Sequence, residues 1–158
     1  MMKMVLYFAY GSNLSLAQIR ERVNNSELKP LYNAYFPDKK LCFPRSSKLQ
    51  KGGVASYEDQ KNHNLWGAVF DLTADELSRI DLKEGYGGKG KDNSYERVEI
   101  TVINNGTKIS AFTYCANPKG TFTPSQDYMN KLIKGAKECK LPSDYIQELK
   151  EIQTNGMD

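Results

Sequence analysis

Hydrophobic spacing along the chain changes period several times, and each change predicts an element. Residues 4–9 form an apolar run that reads as a buried strand ending at Gly11. Ser15 with Gln18 three places on is a capping-box pattern, and Leu16, Ile19 and Val23 follow at helical spacing. A polar connector covers residues 24–29. Residues 31–43 are aromatic-rich and read as an extended segment broken at Pro37-Asp38, followed by a polar loop over 45–51. Gly52-Gly53-Val54-Ala55-Ser56-Tyr57 reads as a short strand whose glycines admit another backbone. Residues 58–64 read as a polar turn, and residues 65–72, with Trp66, Val69 and Phe70, as the strongest strand.

Thr73-Ala74-Asp75-Glu76 is a second capping box, opening a helix with Leu77, Ile80 and Glu84 at i, i+3 and i+7 and Gly85 as its stop. A loop rich in glycine and lysine covers residues 86–93. Residues 95–103 alternate like a strand, Asn104-Asn105-Gly106 is a hairpin turn, and residues 108–115 return. Pro124 is placed at the first position of a helix carrying Tyr128, Leu132 and Ile133, with Gly135-Ala136 allowing close packing. Leu141-Pro142 opens the last helix, with Tyr145, Leu149 and Ile152 on one face, and the tail from Gln153 is expected to fray. No repeat or linker divides the chain. The pattern predicts one domain over residues 1–158 of α+β class: a small mixed, mostly antiparallel, barrel-like sheet with helices packed outside.

Composition narrows the function. Apolar content of 39% and charged content of 26% suit a folded globular protein. A net charge of +3, without a dense basic cluster apart from the lysines near residue 90, gives no case for nucleic acid. No run approaches the ~18 apolar residues of a membrane span, and the apolar N-terminus is too short for a signal peptide. Cys42, Cys115 and Cys139 are an odd, scattered set, which argues for a reducing, cytoplasmic setting and against a disulfide framework. Cys115, in an apolar strand, is expected to be buried and inert. With His63 as the single histidine, no metal site is expected.

Two places could carry chemistry. A tight strand–glycine–helix junction at residues 10–14 gathers backbone N–H groups at one spot, which favours a carboxylate or a developing oxyanion; a plain capped turn is the simpler reading. Glu84 continues an apolar stripe at a helix C-terminus, so desolvation and the helix dipole both raise its pKa toward that of a neutral-pH acid/base. A simple salt bridge is its alternative role, and Asp81 competes for the catalytic one. Gly85-Tyr86-Gly87-Gly88-Lys89-Gly90 matches G-x-G-x-x-G in letters, but a helix precedes it and a strand follows, the reverse of a dinucleotide fold. No nucleophile elbow or Ser/His/Asp set is present.

In order along the chain, Tyr7-Phe8-Ala9-Tyr10-Gly11-Ser12-Asn13-Leu14, Gly52-Gly53-Val54-Ala55, Leu65-Trp66-Gly67-Ala68-Val69, Ile80-Asp81-Leu82-Lys83-Glu84-Gly85 with Tyr95, Phe112-Thr113-Tyr114, Pro124-Ser125-Gln126-Asp127-Tyr128 and the 135–142 segment resemble the γ-glutamylcyclotransferase (AIG2-like) family. The resemblance implies a small mixed α/β barrel that releases 5-oxoproline and a free amino acid or amine from a γ-glutamyl substrate, without cofactor or metal. It implies that Tyr10, Gly11, Ser12, Asn13 and Leu14 hold the γ-glutamyl group, that Glu84 is the general base and acid, and that Tyr95, Tyr114 and Tyr128 line the pocket. The partner is then a γ-glutamyl amino acid or amine, or glutathione, for a monomer or homodimer. The long 85–95 loop departs from the family's compact form and is expected to act as an altered lid or substrate-side wall. A non-catalytic carboxylate-binding module on the same fold is the competing reading.

Overall fold

The structure, a computed structural model, describes residues 3–156. Five strands close into a barrel in the order β1-β3-β2-β4-β5: β1 (Met4–Ala9), β2 (Tyr32–Ser47), β3 (Gly52–Thr73), β4 (Tyr95–Asn104) and β5 (Thr107–Ala116). Neighbours are antiparallel except where β5 meets β1, with Tyr7 opposite Phe112, and closes the ring. Four helices accompany it: α1 (Leu16–Val23), α2 (Ala74–Glu84), α3 (Gln126–Glu138) and α4 (Ser143–Lys150). This is the expected α+β barrel. Among the described residues no helix is long and apolar enough to cross a membrane.

Local chemistry explains most of the boundaries. Thr73 caps α2 through the Glu76 N–H at 3.1 Å, and the Glu76 carboxylate accepts the Thr73 N–H at 2.9 Å, so two orphan donors are satisfied reciprocally. Gly85 ends the helix at φ 70°, in the left-handed region. Asn105 and Gly106 (φ 45° and 80°) give the β4–β5 hairpin its tight turn. Leu77 and Ile80 face the core, together with Phe8, Leu14, Ile19, Val69 and Phe70.

Four boundaries differ from the sequence reading. β2 continues to Ser47, and the turn before β3 is only residues 48–51. The polar residues 58–64 do not break the strand: Asp38 alone faces residues 60–63, which bulge from a continuous β3, and the Asp38 carboxylate accepts the Asn62 N–H. Pro124 precedes α3 rather than opening it, because the Ser125 hydroxyl accepts the Tyr128 N–H and is the cap. The tail does not fray before Asn155, whose N–H donates to the Pro124 carbonyl and whose side-chain amide donates to the Lys51 carbonyl. Strand pairing and long-range hydrogen bonds overrode the local polar signals in β2, β3 and the tail, whereas at Pro124 a local serine cap displaced the proline signal by one residue.

Close backbone approaches fix how the helices sit on the barrel. A Cβ at Gly135 would lie 2.4 Å from the Leu14 carbonyl carbon and 2.5 Å from the Ser15 nitrogen, so α3 rests directly on the segment between β1 and α1. Gly52 and Gly53 are approached in the same way by the backbone around residues 122–125, as the paired glycines predict. Gly135→Ala is expected to cost roughly 1–3 kcal/mol by overpacking and to lower Tm by about 2–4 °C for each of those kcal/mol. Gly87→Ala, whose new methyl meets nothing nearer than 3.8 Å, should leave Tm unchanged. Thermal unfolding of the two variants checks both.

Candidate active site

β1 ends at the barrel rim and runs into a 3-10 turn at Ser12–Leu14. The Leu14 N–H closes that turn on the Gly11 carbonyl at 3.0 Å. The N–H groups of Ser12 and Asn13, the first of a helical turn, have no acceptor among the described residues. Gly11 is needed for space: a Cβ there would press on the Ala55 methyl at 3.2 Å. Ser15 caps α1 as predicted, accepting the Gln18 N–H, but the Gln18 side chain does not complete the capping box. It turns back and donates to Ser12 Oγ at 2.7 Å and Asn13 Oδ1 at 3.0 Å.

The turn forms one wall of a cavity of about 1120 Å³. Tyr10, Gly11, Ser12, Asn13, Glu84, Tyr95, Tyr114 and Tyr128 all line it. Leu14 does not; its side chain is wholly buried in the core. The tyrosines position one another through backbone atoms. Tyr95 donates its hydroxyl proton to the Ala55 carbonyl at 2.6 Å, while the Tyr128 hydroxyl accepts the Ala55 N–H at 3.0 Å. Tyr10 donates to the Tyr114 carbonyl. Burial raises the pKa of all four phenols, that of Tyr128 to about 12, so they stay neutral.

Glu84 comes to this cavity from the last turn of α2, with 18% of its side chain exposed. Burial raises its pKa from 4.5 to about 7, and the Arg22 guanidinium offsets only part of that. Arg22 Nη1 stands 3.8 Å from Glu84 Oε1, beyond hydrogen-bond distance, and donates instead to Asn13 Oδ1 at 2.9 Å. The Asn13 amide nitrogen in turn donates to the Tyr7 hydroxyl at 2.9 Å. One guanidinium nitrogen therefore links the turn to the carboxyl group. Asp81, the competing candidate, does not line the cavity; it is paired with Arg97 at 2.8 Å and accepts the Tyr114 hydroxyl. Arg97 in turn packs against the rings of Tyr86 and Phe112.

Sequence reasoning missed Tyr7, Gln18, Arg22 and Arg45 as cavity residues. Ser15, Gln18 and Arg22 fall at i, i+3 and i+7 on α1, a polar stripe with the spacing of the Leu77, Ile80 and Glu84 stripe on α2. That signal was available; Arg45, assigned to a loop, had none. The 85–95 loop contributes only Gly85, Ser94 and Tyr95 to the wall, and Asn93 ties its interior together through Gly87, Gly88 and Glu96. Its ends form a side wall of the cavity, and residues 86–93 do not line it. Cys115 is half-buried rather than buried, against the Ser56 hydroxyl. Among the described residues no cluster of His, Cys, Asp and Glu could hold a metal ion.

The AIG2-like family profile matches residues 64–149. Curated gamma-glutamylcyclotransferases of Bos taurus and Homo sapiens are each 32% identical over 155 residues, which is 95% of this chain and 79% of theirs. A solved gamma-glutamyl cyclotransferase superposes with a TM-score of 0.87 at 31% identity, over 97% of this chain and 90% of that one. YkqA from Bacillus subtilis, at 19% identity, a TM-score of 0.81 and coverage of 97% of this chain and 56% of that one, shares the fold alone.

The raised Glu84 pKa has a consequence for stability. Below about pH 4.5 the carboxyl is protonated in both folded and unfolded chains and its burial is tolerated. Between about pH 4.5 and about pH 7 the unfolded chain ionises this carboxyl while the folded chain holds it protonated, so stability falls by on the order of 3 kcal/mol across that window and levels off above it. Glu84→Gln removes that loss. Denaturant unfolding from about pH 4 to about pH 8 should show the variant gaining on the parent as pH rises.

Proposed function

The chain belongs to the γ-glutamylcyclotransferase (AIG2-like) family, and from that premise we propose that it closes γ-glutamyl amino acids or amines to 5-oxoproline, with Glu84 as the proton carrier. The observation that carries the proposal is a carboxyl group with a pKa raised to about 7 in the cavity walled by the 3-10 turn. A group poised there takes and returns protons near neutral pH.

The chemistry asks for little else. The α-amine of the substrate attacks its own γ-carbonyl carbon, and the bond from that carbon to the departing nitrogen breaks. The attacking nitrogen enters as an ammonium and ends as a lactam N–H, so it gives up two protons. The departing amine gains two and leaves as an ammonium. Glu84 passes them in turn, as base and then as acid. Ring closure is intramolecular, so a cavity that holds the γ-glutamyl chain folded supplies much of the acceleration. The tetrahedral oxyanion is assigned to the open N–H groups of Ser12 and Asn13. The neutral phenols of Tyr10, Tyr95, Tyr114 and Tyr128 add shape and apolar walls without charge.

γ-Glutamyl-alanine and γ-glutamyl-lysine are expected to yield 5-oxoproline. Glu84→Gln should retain substrate binding and lose at least ~10²-fold in kcat; turnover at the parent rate would exclude the assigned role. The pH profile of kcat/KM should rise through a limb near 7, where the base ionises. Arg22→Met removes the charge that lowers the Glu84 pKa, so that limb should move to higher pH. A limb that stays in place would show that a different group titrates.

A further inference from the structure

The cavity is lined by five basic side chains, and they are not equivalent. Arg22 stands by Glu84, and Arg79 is paired with Asp75 at 3.1 Å. Lys83 is exposed at the rim. Lys131 lies on the side of the 3-10 turn, donating to Gln18 Oε1 at 3.1 Å. Arg45 stands apart, on the β2 wall. It donates from Nη1 to the Asn117 carbonyl at 2.9 Å and from Nη2 to Ser94 Oγ at 3.4 Å. Both partners are uncharged, and among the described residues Arg45 makes no ion pair. A guanidinium has five N–H donors. Two are used to hold the side chain in place, and the rest stay available in a cavity wall.

Arg45 is also fixed relative to the chemistry. The Ser94 that orients it donates its backbone N–H to the Gly85 carbonyl at 3.0 Å, and Gly85 follows Glu84 directly. Its charge is felt at the Tyr95 hydroxyl on the same wall. With the γ-glutamyl group on the 3-10 turn, the departing amino acid occupies the remainder of the cavity, which Glu84 and Arg45 both line. Its carboxylate is the anion that Arg45 is suited to take, because a pre-oriented guanidinium fork matches a planar, two-oxygen anion.

We propose that Arg45 is a specificity residue, the group by which this chain recognises the carboxylate of the departing amino acid. This rests on the cyclotransferase reading above. Glutathione and γ-glutamyl-dipeptides place their first free carboxylate further from the departing nitrogen and fit this position less well.

The test compares γ-glutamyl-alanine with γ-glutamyl-ethylamide, which differ only by that carboxylate. The parent should prefer γ-glutamyl-alanine in kcat/KM. Arg45→Met should shrink the ratio of the two kcat/KM values by ~10-fold or more, as expected for one charge-assisted contact, with the loss in KM. Arg45→Lys should restore part of the ratio. An unchanged ratio in Arg45→Met, with the parent active, overturns the Arg45 assignment alone. An equal fall on both substrates does the same, since it marks a structural role. A parent that releases no 5-oxoproline from either substrate overturns the cyclotransferase reading, and the Arg45 assignment with it.

Discussion

Everything at this site depends on how Arg22 divides itself between two acceptors. Buried carboxylates usually acquire a close cation, which drives their pKa down and ends their use as bases near neutrality. Here the nearest cation is drawn away. Arg22 is hydrogen-bonded to Asn13 Oδ1 at 2.9 Å and stays at 3.8 Å from Glu84. Asn13 is fixed on its other side by its own donation to Tyr7 and by Gln18. The charge is near enough to permit ionisation and too far to enforce it. The 3-10 turn and the buried carboxyl group are thus one electrostatic unit, although Asn13 and Glu84 are 71 positions apart in the chain.

That unit is held from outside by backbone packing. α3 seats its glycine on the junction between the 3-10 turn and α1, and the Cys139 thiol meets the Leu14 carbonyl from the same direction. On the other side, Gly67 lets β1 approach β3 so closely that a Cβ would lie 2.4 Å from the Ala9 carbonyl oxygen. The turn is squeezed between barrel and helix, and its donors have little room to reorient. Such fixed dipoles stabilise a developing charge without a reorganisation cost during reaction.

Much of this was legible in the sequence because it depends on local signals. The Thr73 box, the Gly85 stop and the Leu77, Ile80, Glu84 stripe fixed α2 and pointed Glu84 inward; the Asn105-Gly106 turn fixed the last hairpin. What escaped depends on partners distant in sequence. Asp81 lies three residues before Glu84 and is its competitor in the sequence; only β4 and β5 show that it is held by Arg97 and Tyr114. The residues around 58–64 carry turn chemistry, yet pairing with β2 keeps them in the sheet. Arg45 gains its place from partners distant in sequence, with Val54 opposite it in β3 and Ser94 and Asn117 holding its side chain. Polarity along the chain cannot distinguish a strand end at a cavity rim from a solvated loop.

The division of the cavity among elements also bears on how such a site changes over time. Proton transfer and the glutamyl cradle are assigned to β1, α1 and α2, whose geometry is tied to the core. The opposite wall is built partly from the end of β2 and the short turn at residues 48–51, where Leu49 and Gln50 reach the cavity while the barrel closes elsewhere. Changes at that hairpin tip reshape one part of the cavity wall without touching β1, α1 or α2. A fold arranged in this way can take an insertion at one turn without re-registering the strands that close the barrel.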